Sequence, residues 1–183
     1  MPSWNSRGLR GSVLEEAINI TNEKYRREKL ALVQKIPTPI TPIEIDQANH
    51  HITLAYFEQK STVDYIGTVQ GVPVCFDAKE CSSETFPLQN IHEHQMEFMR
   101  EFEDQSGIAF FIIYFSKLEK YYYVPYRDVE IFWQRAKSGG RKSFRREELD
   151  ETYEIRFSNQ IYIHYLEMIS RDLESREEED DIR

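Results

Sequence analysis

The sequence has few cysteines, no long apolar run and a deficit of positive charge. Its two cysteines, Cys75 and Cys81, are too few for a disulfide framework and predict free thiols in a reducing compartment. The longest apolar run, Ile108 to Phe115, is eight residues, whereas crossing a bilayer takes roughly 20. The first residues do not resemble an apolar secretion signal either. These absences argue against a secreted or membrane-spanning protein, and we expect a cytoplasmic one.

The shortage of basic residues argues against a nucleic-acid binder, since 23 Lys and Arg face 32 Asp and Glu and the net charge is -9. The distribution of charge weakens this argument. Six acids and two bases lie in the tail 174–183, and six bases lie between Arg135 and Arg146 with no acid among them. Those six are Arg135, Lys137, Arg141, Lys142, Arg145 and Arg146. They are candidates for phosphate contacts, although a solvated surface loop explains them equally well.

The composition predicts one soluble domain, residues 1–183, because 40% of residues are hydrophobic while the mean hydropathy is -0.63. Residues 1–11 read as a flexible basic arm containing Arg7 and Arg10. Three prolines between Ile36 and Pro42 favour an extended path, and we expect a protruding insertion at about 36–60. The acidic tail 174–183 is expected to fray.

Hydrophobic periodicity predicts an α/β fold with a mixed central sheet flanked by helices. Helices are predicted at Ser12–Leu32, Arg127–Ala136 and Gln160–Leu173. A further helix is predicted to be capped by Asn90 and to carry Gln95 and Phe102 on its apolar face. Strands are predicted at Thr62–Val69, Val72–Lys79, Ile108–Phe115 and Tyr121–Val124. The eight-residue apolar run is typical of a central strand that is covered on both faces.

The first two of these strands form a hairpin if Gln70-Gly71 is a two-residue turn. Paired residue numbers then sum to 141, which sets Asp64 opposite Asp77 and Thr62 opposite Lys79. Opposed residues share a face of the sheet, and two carboxylates placed so closely repel unless a cation lies between them or one is protonated. Oxygen ligands with a nearby lysine suit Mg²⁺, with Mn²⁺ able to substitute, and predict metal-assisted phosphodiester hydrolysis.

Two further observations bear on this site. Gln95 falls on the apolar face of its helix, where a buried amide needs partners, and an active-site water would serve. Glu15 and Glu16 are candidates for an additional metal-binding or water-activating carboxylate, although acids in a first helical turn are usually partners of the helix dipole.

Two other interpretations of these residues stay open. A shifted register would make Asp64 and Asp77 ordinary edge charges. The residues His92, His94, Cys75 and Cys81 lack the spacing of a zinc site, and we expect them in loops and on helix surfaces.

The ordered motifs of the chain resemble the RecU family of Holliday-junction resolvases, from about Arg7 to Ser143. The resemblance rests on Ser61-Thr-Val-Asp64-Tyr-Ile-Gly67, Phe76-Asp77-Ala-Lys79-Glu80, Phe86-Pro-Leu-Gln-Asn90-Ile-His92-Glu-His94-Gln95 and Gly139-Gly-Arg-Lys-Ser143, with Arg7-Gly8, Leu14-Glu15-Glu16, Ile18-Asn19-x-x-Asn22 and Pro37-Thr-Pro39 before them.

The resemblance implies a restriction-endonuclease-like fold and a homodimer that nicks four-way DNA junctions symmetrically, with the proline-led stalk in the junction centre. It also implies that Thr62, Asp64, Asp77 and Gln95 bind Mg²⁺ and that Lys79 stabilises the transition state. RecA and the branch-migration motor are the implied partners, and recombinational repair is the implied role.

The chain departs from the family pattern in three places. It has Asp77 where the family usually has Glu, a slightly shorter loop before Phe86, and no Lys or Arg between Ile43 and Phe57. The last departure favours one alternative, a nuclease with a different DNA substrate. The acidic surface suggests a second, a non-catalytic recombination regulator.

Overall fold

A computed structural model of the protein describes residues 13–57, 62–156 and 163–181. Within these ranges the chain forms four α-helices, ten strands and three short 3₁₀ turns. In chain order the helices and strands are α1 (Val13–Arg27), β1 (Ala31–Lys35), β2 (Ile40–Asp46), β3 (His51–Phe57), β4 (Tyr65–Val69), β5 (Val72–Cys81), β6 (Thr85–Pro87), α2 (Glu93–Asp104), β7 (Ile108–Phe115), β8 (Lys120–Pro125), α3 (Tyr126–Lys137), β9 (Ser143–Arg145), β10 (Glu154–Ile155) and α4 (Tyr165–Asp181).

Six strands form the central sheet in the order β1-β4-β5-β7-β8-β10. The pair β5–β7 is parallel and the other neighbours are antiparallel, so the sheet is mixed. One core contains residues of α1 and α4, and the other contains residues of α2 and α3. The predicted α/β fold with a mixed central sheet flanked by helices is therefore confirmed.

Strand β7 divides its side chains between the two cores. Phe110 and Ile112 belong to the core with α1 and α4, while Phe111 and Ile113 belong to the core with α2 and α3. Because successive strand residues point to opposite faces, a strand covered on both sides must be apolar throughout. The prediction of a central strand at Ile108–Phe115 is confirmed.

Helix α1 ends earlier than the sequence suggests. It stops at Arg27 rather than Leu32, because Lys29 adopts a positive φ of 59° and the Leu30 N–H donates to the Tyr25 carbonyl at 2.9 Å. A residue in the left-handed conformation, followed by a hydrogen bond that spans five residues, terminates a helix. The chain then forms β1, an edge strand on β4 that the helical reading missed.

The proline-led segment forms a two-stranded β-hairpin of β2 and β3, separate from the central sheet. The ladder shifts register between Pro42 and Glu44, next to a residue that has no N–H to donate. Exposed apolar side chains line the hairpin, among them Ile43 and Ile45 at 58% and Phe57 at 76%. Residues 58–60, the end of the predicted insertion, lie outside the described ranges.

Helix α2 is capped by His92 and not by Asn90, which lies in a 3₁₀ turn at Leu88–Asn90. Buried Ile91 is extended, with φ -106° and ψ 133°, and this delays the helix. The His92 N–H then donates to Gln95 Oε1 at 3.0 Å. Capping chemistry two residues downstream therefore overrides the predicted Asn90 cap, and it fixes the side chain of Gln95.

Helix α4 begins at Tyr165 and continues to Asp181, so the predicted end at Leu173 is wrong, while the fraying of the tail stays a prediction. The physical reason is a buried ionic cluster. Asp172 is fully buried and accepts from Arg127 at 2.9 Å, Arg176 at 3.0 Å and the Tyr123 hydroxyl at 2.6 Å, and Arg176 also reaches Glu103 at 2.6 Å. These contacts anchor the helix past the point where its apolar pattern ends.

Replacing Asp172 with alanine is expected to lower the free energy of unfolding by about 3–5 kcal/mol, because two arginines lose their buried counter-ion. Urea denaturation, monitored by circular dichroism, measures this change in the free energy of unfolding. The matched control is Glu167→Ala, which breaks only the exposed pair with Arg171 on the same helix and should change stability by less than about 0.5 kcal/mol. Equal effects of the two substitutions would contradict the structural role of the cluster.

Both cysteines are free and buried in β5, so the predicted free thiols are confirmed. Cys75 lies in the strand predicted at Val72–Lys79, whereas the expected surface position of Cys81 is wrong. Burial raises the pKa of the Cys75 thiol. No helix within the described ranges is long and apolar enough to span a membrane.

Candidate active site

The β4–β5 hairpin places two aspartates side by side. Gln70 and Gly71 both have positive φ, 48° and 94°, as a two-residue type I′ turn requires. The ladder pairs Val69 with Val72 and Tyr65 with Phe76, so residue numbers sum to 141. The register inferred from the sequence is confirmed, and Asp64 lies one residue beyond the last pair, next to Asp77.

The two aspartates are joined through reciprocal hydrogen bonds. The Asp64 N–H donates to Asp77 Oδ1 at 3.0 Å, and the Ala78 N–H donates to Asp64 Oδ2 at 3.0 Å. Each carboxylate thus accepts a backbone N–H of the opposite segment where the regular ladder has ended. Both carboxylates are held in place, and they are held close together.

Lys79 and Gln95 complete this group. Lys79 Nζ lies 2.5 Å from Asp77 Oδ2 and 3.4 Å from Gln95 Oε1. Gln95 Nε2 donates to the same Asp77 oxygen at 2.9 Å, while its Oε1 accepts from the His92 N–H. The buried Gln95 amide therefore has protein partners at both its nitrogen and its oxygen. The four side chains Asp64, Asp77, Lys79 and Gln95 form one connected cluster.

Burial and like charge make this cluster electrostatically costly. Asp77 is fully buried and the side chain of Lys79 is 17% exposed. Burial, and then the charge of Asp77, raise the pKa of Asp64 from 3.8 to about 7, against the opposing effects of the Ala78 N–H and Lys79. One lysine therefore does not fully offset two adjacent carboxylates at neutral pH.

The donor set fits a hard divalent cation. A cation between Asp64 and Asp77 would relieve their repulsion and favour the ionised form of Asp64. Mg²⁺ is bound in many proteins through only one or two carboxylates, with water and substrate phosphate filling the other positions. Two aspartates beside an ammonium group can thus serve metal-assisted hydrolysis of a phosphate ester.

Among the other predicted site residues, Thr62 is half-buried and the structure gives it no hydrogen bond to the cluster. The ladder ends at Tyr65, so the predicted Thr62–Lys79 pair does not form within it. Glu15 pairs with Lys35 at 2.5 Å, and its charge, together with those of Asp64 and Asp77, adds to the burial that raises the pKa of Tyr65. Glu15 therefore lies at the same edge as the aspartates, whereas Glu16 is exposed.

The basic segment from Arg135 to Arg146 is less available for phosphate contacts than its sequence suggests. Arg135 and Arg141 both pair with Glu148, Lys137 pairs with Glu93, and Arg146 pairs with Glu151. These acids lie outside the segment, and the run of six bases by itself could not show that they would pair with it. Lys142 and Arg145 are exposed and form no ion pair with any residue that the structure describes. Arg7 and Arg10 lie outside the described ranges.

The zinc interpretation gains no support from the structure. No group of three or more His, Cys, Asp or Glu suited to a metal ion occurs within residues 13–57, 62–156 and 163–181. His92 and His94 stack with ring centroids 5.4 Å apart near the start of α2.

Sequence reasoning missed two residues that bear on the site. His92 orients Gln95 through its backbone N–H, and Lys35 holds Glu15 from strand β1. The signal for His92 was its place three residues before Gln95, the spacing of a capping box. No local signal identified Lys35, because it lies between the predicted helix end at Leu32 and the insertion predicted from about residue 36.

Comparison with known proteins places these features in one family. The family model described as Recombination protein U matches residues 9–171. The Holliday junction resolvase RecU of Bacillus licheniformis is 38% identical over 175 residues, which cover 93% of this chain and 86% of the relative. The proteins of the same name from Bacillus subtilis and Bacillus pumilus are 37% and 43% identical, over 93% and 78% of this chain and 82% and 70% of their own lengths. Among solved structures, Archaeoglobus fulgidus Hjc, a Holliday junction resolvase, matches with a TM-score of 0.44 at 10% identity, over 78% of this chain and 90% of that one.

Proposed function

Because the chain belongs to the RecU (Recombination protein U) family, we propose that it is a Holliday-junction resolvase, a metal-dependent endonuclease that cuts four-way DNA junctions by paired symmetric nicks. The observation that carries the proposal is the cluster of Asp64, Asp77, Lys79 and Gln95. A fully buried carboxylate beside a half-buried one, a lysine 2.5 Å from the former and an amide fixed by two hydrogen bonds are the groups that such chemistry needs.

Asp64 and Asp77 would hold the cation, for which Mg²⁺ is our assignment and Mn²⁺ its substitute. When bound, the ion supplies positive charge that polarises the scissile phosphate. The Lys79 ammonium stabilises the negative charge that develops on the phosphate oxygens. Gln95 keeps Asp77 in orientation through its Nε2–Oδ2 hydrogen bond, and Glu15 is a further carboxylate at the same edge.

Paired nicks in opposing strands require two active sites, and the described residues of one chain form one such cluster. We therefore assign a homodimer as the active form. Lys142 and Arg145 are our first candidates for phosphate contacts, since both are exposed and lack an acidic partner within the described ranges. RecA and the branch-migration motor are proposed partners in recombination and repair, and the nucleoid is the proposed location.

The β2–β3 hairpin favours one alternative, a nuclease with another DNA substrate. It carries Glu44 and Asp46 and no Lys or Arg, which is unfavourable in the centre of a junction lined by phosphates. A substrate comparison decides between the two.

The purified protein is expected to cut a mobile four-way junction at least about tenfold faster than linear duplex of the same arm sequence, and only when Mg²⁺ or Mn²⁺ is present. Denaturing gels of strand-labelled junctions measure the rate and locate the nicks. EDTA is expected to abolish cleavage, and a Ca²⁺ reaction controls for DNA binding without hydrolysis. Equal cutting of duplex would support the alternative substrate, and cutting in EDTA would contradict the metal assignment.

A further inference from the structure

A surface groove of about 370 Å³ lies beside the segment that leads into α2. Its wall is formed by apolar side chains, and two lysines stand at its edge. The wall consists of Leu88, Ile91, Trp133 and Ala136, and the lysines are Lys137 and Lys142. The volume falls within the range of about 300–1,000 Å³ that is typical of small-ligand sites.

The charge of this groove is unusual for a protein with a net charge of -9. Apart from Gln89, its lining is apolar or basic, and none of it is acidic. Lys137 Nζ lies 6.0 Å from the centroid of the Trp133 ring and 3.1 Å from Glu93 Oε1. Lys142 is exposed and has no acidic partner among the residues that the structure describes. An aromatic wall with a cationic edge matches a ligand that joins a flat apolar group to a negative charge.

The groove shares a segment of chain with the candidate active site. Ile91 in the groove wall directly precedes His92, whose N–H holds Gln95. On the other side, the Leu88 N–H donates to the Lys142 carbonyl at 3.1 Å. A ligand in the groove therefore contacts the same short segment, Leu88 to His92, that orients Gln95 toward Asp77.

We propose that this groove binds an unpaired nucleotide of the DNA substrate, with the base against the Trp133 indole and the phosphate beside Lys142 and Lys137. The proposal rests on the proposed function, because it takes DNA to be the substrate. The paired arms of a junction keep their base faces stacked, so only a base that is unpaired where the strands cross can present a face to the indole. Aromatic side chains stack on single-stranded bases of any sequence, while lysines neutralise the backbone.

Binding of fluorescein-labelled oligothymidylate, measured by anisotropy in EDTA, tests the proposal without requiring cleavage. Trp133→Leu is expected to weaken binding at least about fivefold, and Trp133→Phe less, because phenylalanine still offers a face for stacking. Lys142→Ala is expected to weaken oligothymidylate binding about three- to tenfold. It should also reduce the slope of log affinity against log salt concentration by about one, the value for one phosphate contact.

The matched control is Lys29→Ala, which removes the same charge next to α1, on the opposite face of the central sheet, and should change affinity by less than about twofold. Circular dichroism checks that each variant is folded. Affinities of the Trp133 and Lys142 variants equal to that of the Lys29 variant would overturn the proposal.

Intrinsic fluorescence gives an independent measurement in a Trp4→Phe background, where Trp133 is the one remaining tryptophan. Oligothymidylate is expected to quench this emission. If the emission instead changes with protein concentration and oligothymidylate has no effect, the groove is an interface between two copies of the chain and the proposal is wrong.

The two proposals can fail separately. Failure of the wild type to cut any junction, with the oligothymidylate result as expected, would overturn the resolvase assignment and leave the groove assignment standing. Normal junction cleavage together with unaltered oligothymidylate binding by Trp133→Leu would overturn the groove assignment alone.

Discussion

Lys79→Ala is expected to lower kcat for junction cleavage by about 10²- to 10³-fold, while the affinity for the junction falls far less. Lys79 Nζ contacts Asp77 Oδ2 at 2.5 Å and is the cation within the cluster that can face the phosphate oxygens. Because the charge on those oxygens grows in the transition state, its loss affects kcat more than binding. Single-turnover cleavage with Mg²⁺, beside electrophoretic binding with Ca²⁺, separates the two quantities.

The same substitution is also expected to destabilise the protein, since it leaves the fully buried Asp77 without its counter-ion. A second variant, Lys79→Gln, keeps a hydrogen-bond donor in this position and removes the charge. Both variants should show this lowered kcat, and the glutamine variant should remain folded at the assay temperature. Wild-type kcat in Lys79→Gln would refute the need for a charge.

Lys117→Ala serves as the control for loss of a lysine, because this exposed side chain pairs with Glu84 and is 64% exposed. Its cleavage rate should stay within about twofold of wild type. A comparable loss of activity in this variant would show that general surface charge, and not the position of Lys79, controls the rate.

Asp64→Asn is expected to abolish Mg²⁺-dependent cleavage and, in the absence of metal, to stabilise the protein at pH 8 by about 2 kcal/mol. The physical reason is the pKa of Asp64, which is raised from 3.8 to about 7 by burial and by Asp77. A raised pKa means that the protonated carboxyl favours the folded state. This contribution is fully present below pH 3.8 and is lost as the pH rises through about 7.

Asparagine is neutral at every pH, and its amide can still accept from the Ala78 N–H. The stability difference between Asp64→Asn and wild type should therefore be small near pH 4 and grow toward pH 8. Urea denaturation in EDTA at several pH values measures it. Mg²⁺ should raise the stability of the wild type at pH 8 and have little effect on the variant. A difference that does not change with pH would contradict the raised pKa.

The central part of the site could be predicted from the sequence because it is local. Asp64 and Asp77 are 13 residues apart and joined by one tight turn, so the two-residue turn at Gln70 and Gly71 and the alternation on β5 settle which side chains meet. The central strand β7 was predictable for a related reason, since burial on both faces leaves an unbroken apolar run.

The surroundings of the site could not be predicted, because they depend on contacts between distant segments. The sequence left the face of Asp77 and Lys79 open, whereas the structure covers it with the core of α2 and α3 and buries Asp77 completely. Strand β1 forms only because β4 supplies its partner, and a five-residue strand carries too weak a pattern to stand out from the helix before it.

The charges of the protein could likewise be counted from the sequence, whereas their partners could not be predicted from it. Composition established the surplus of acid and the run of bases between Arg135 and Arg146, but it could not show that Glu93, Glu148 and Glu151 neutralise four of those bases. Nor could it show that Asp172 would hold α4 through the acidic tail.

The sequence by itself determined the fold class, the family motifs and the adjacency of Asp64 and Asp77, since these follow from local periodicity and one turn. Only the tertiary structure decided the burial of Asp77, the partners of Gln95 and Lys79, and the groove at Trp133. The depth of a side chain and the sign of the charge beside it are set by residues tens of positions away, which meet only when the layers pack.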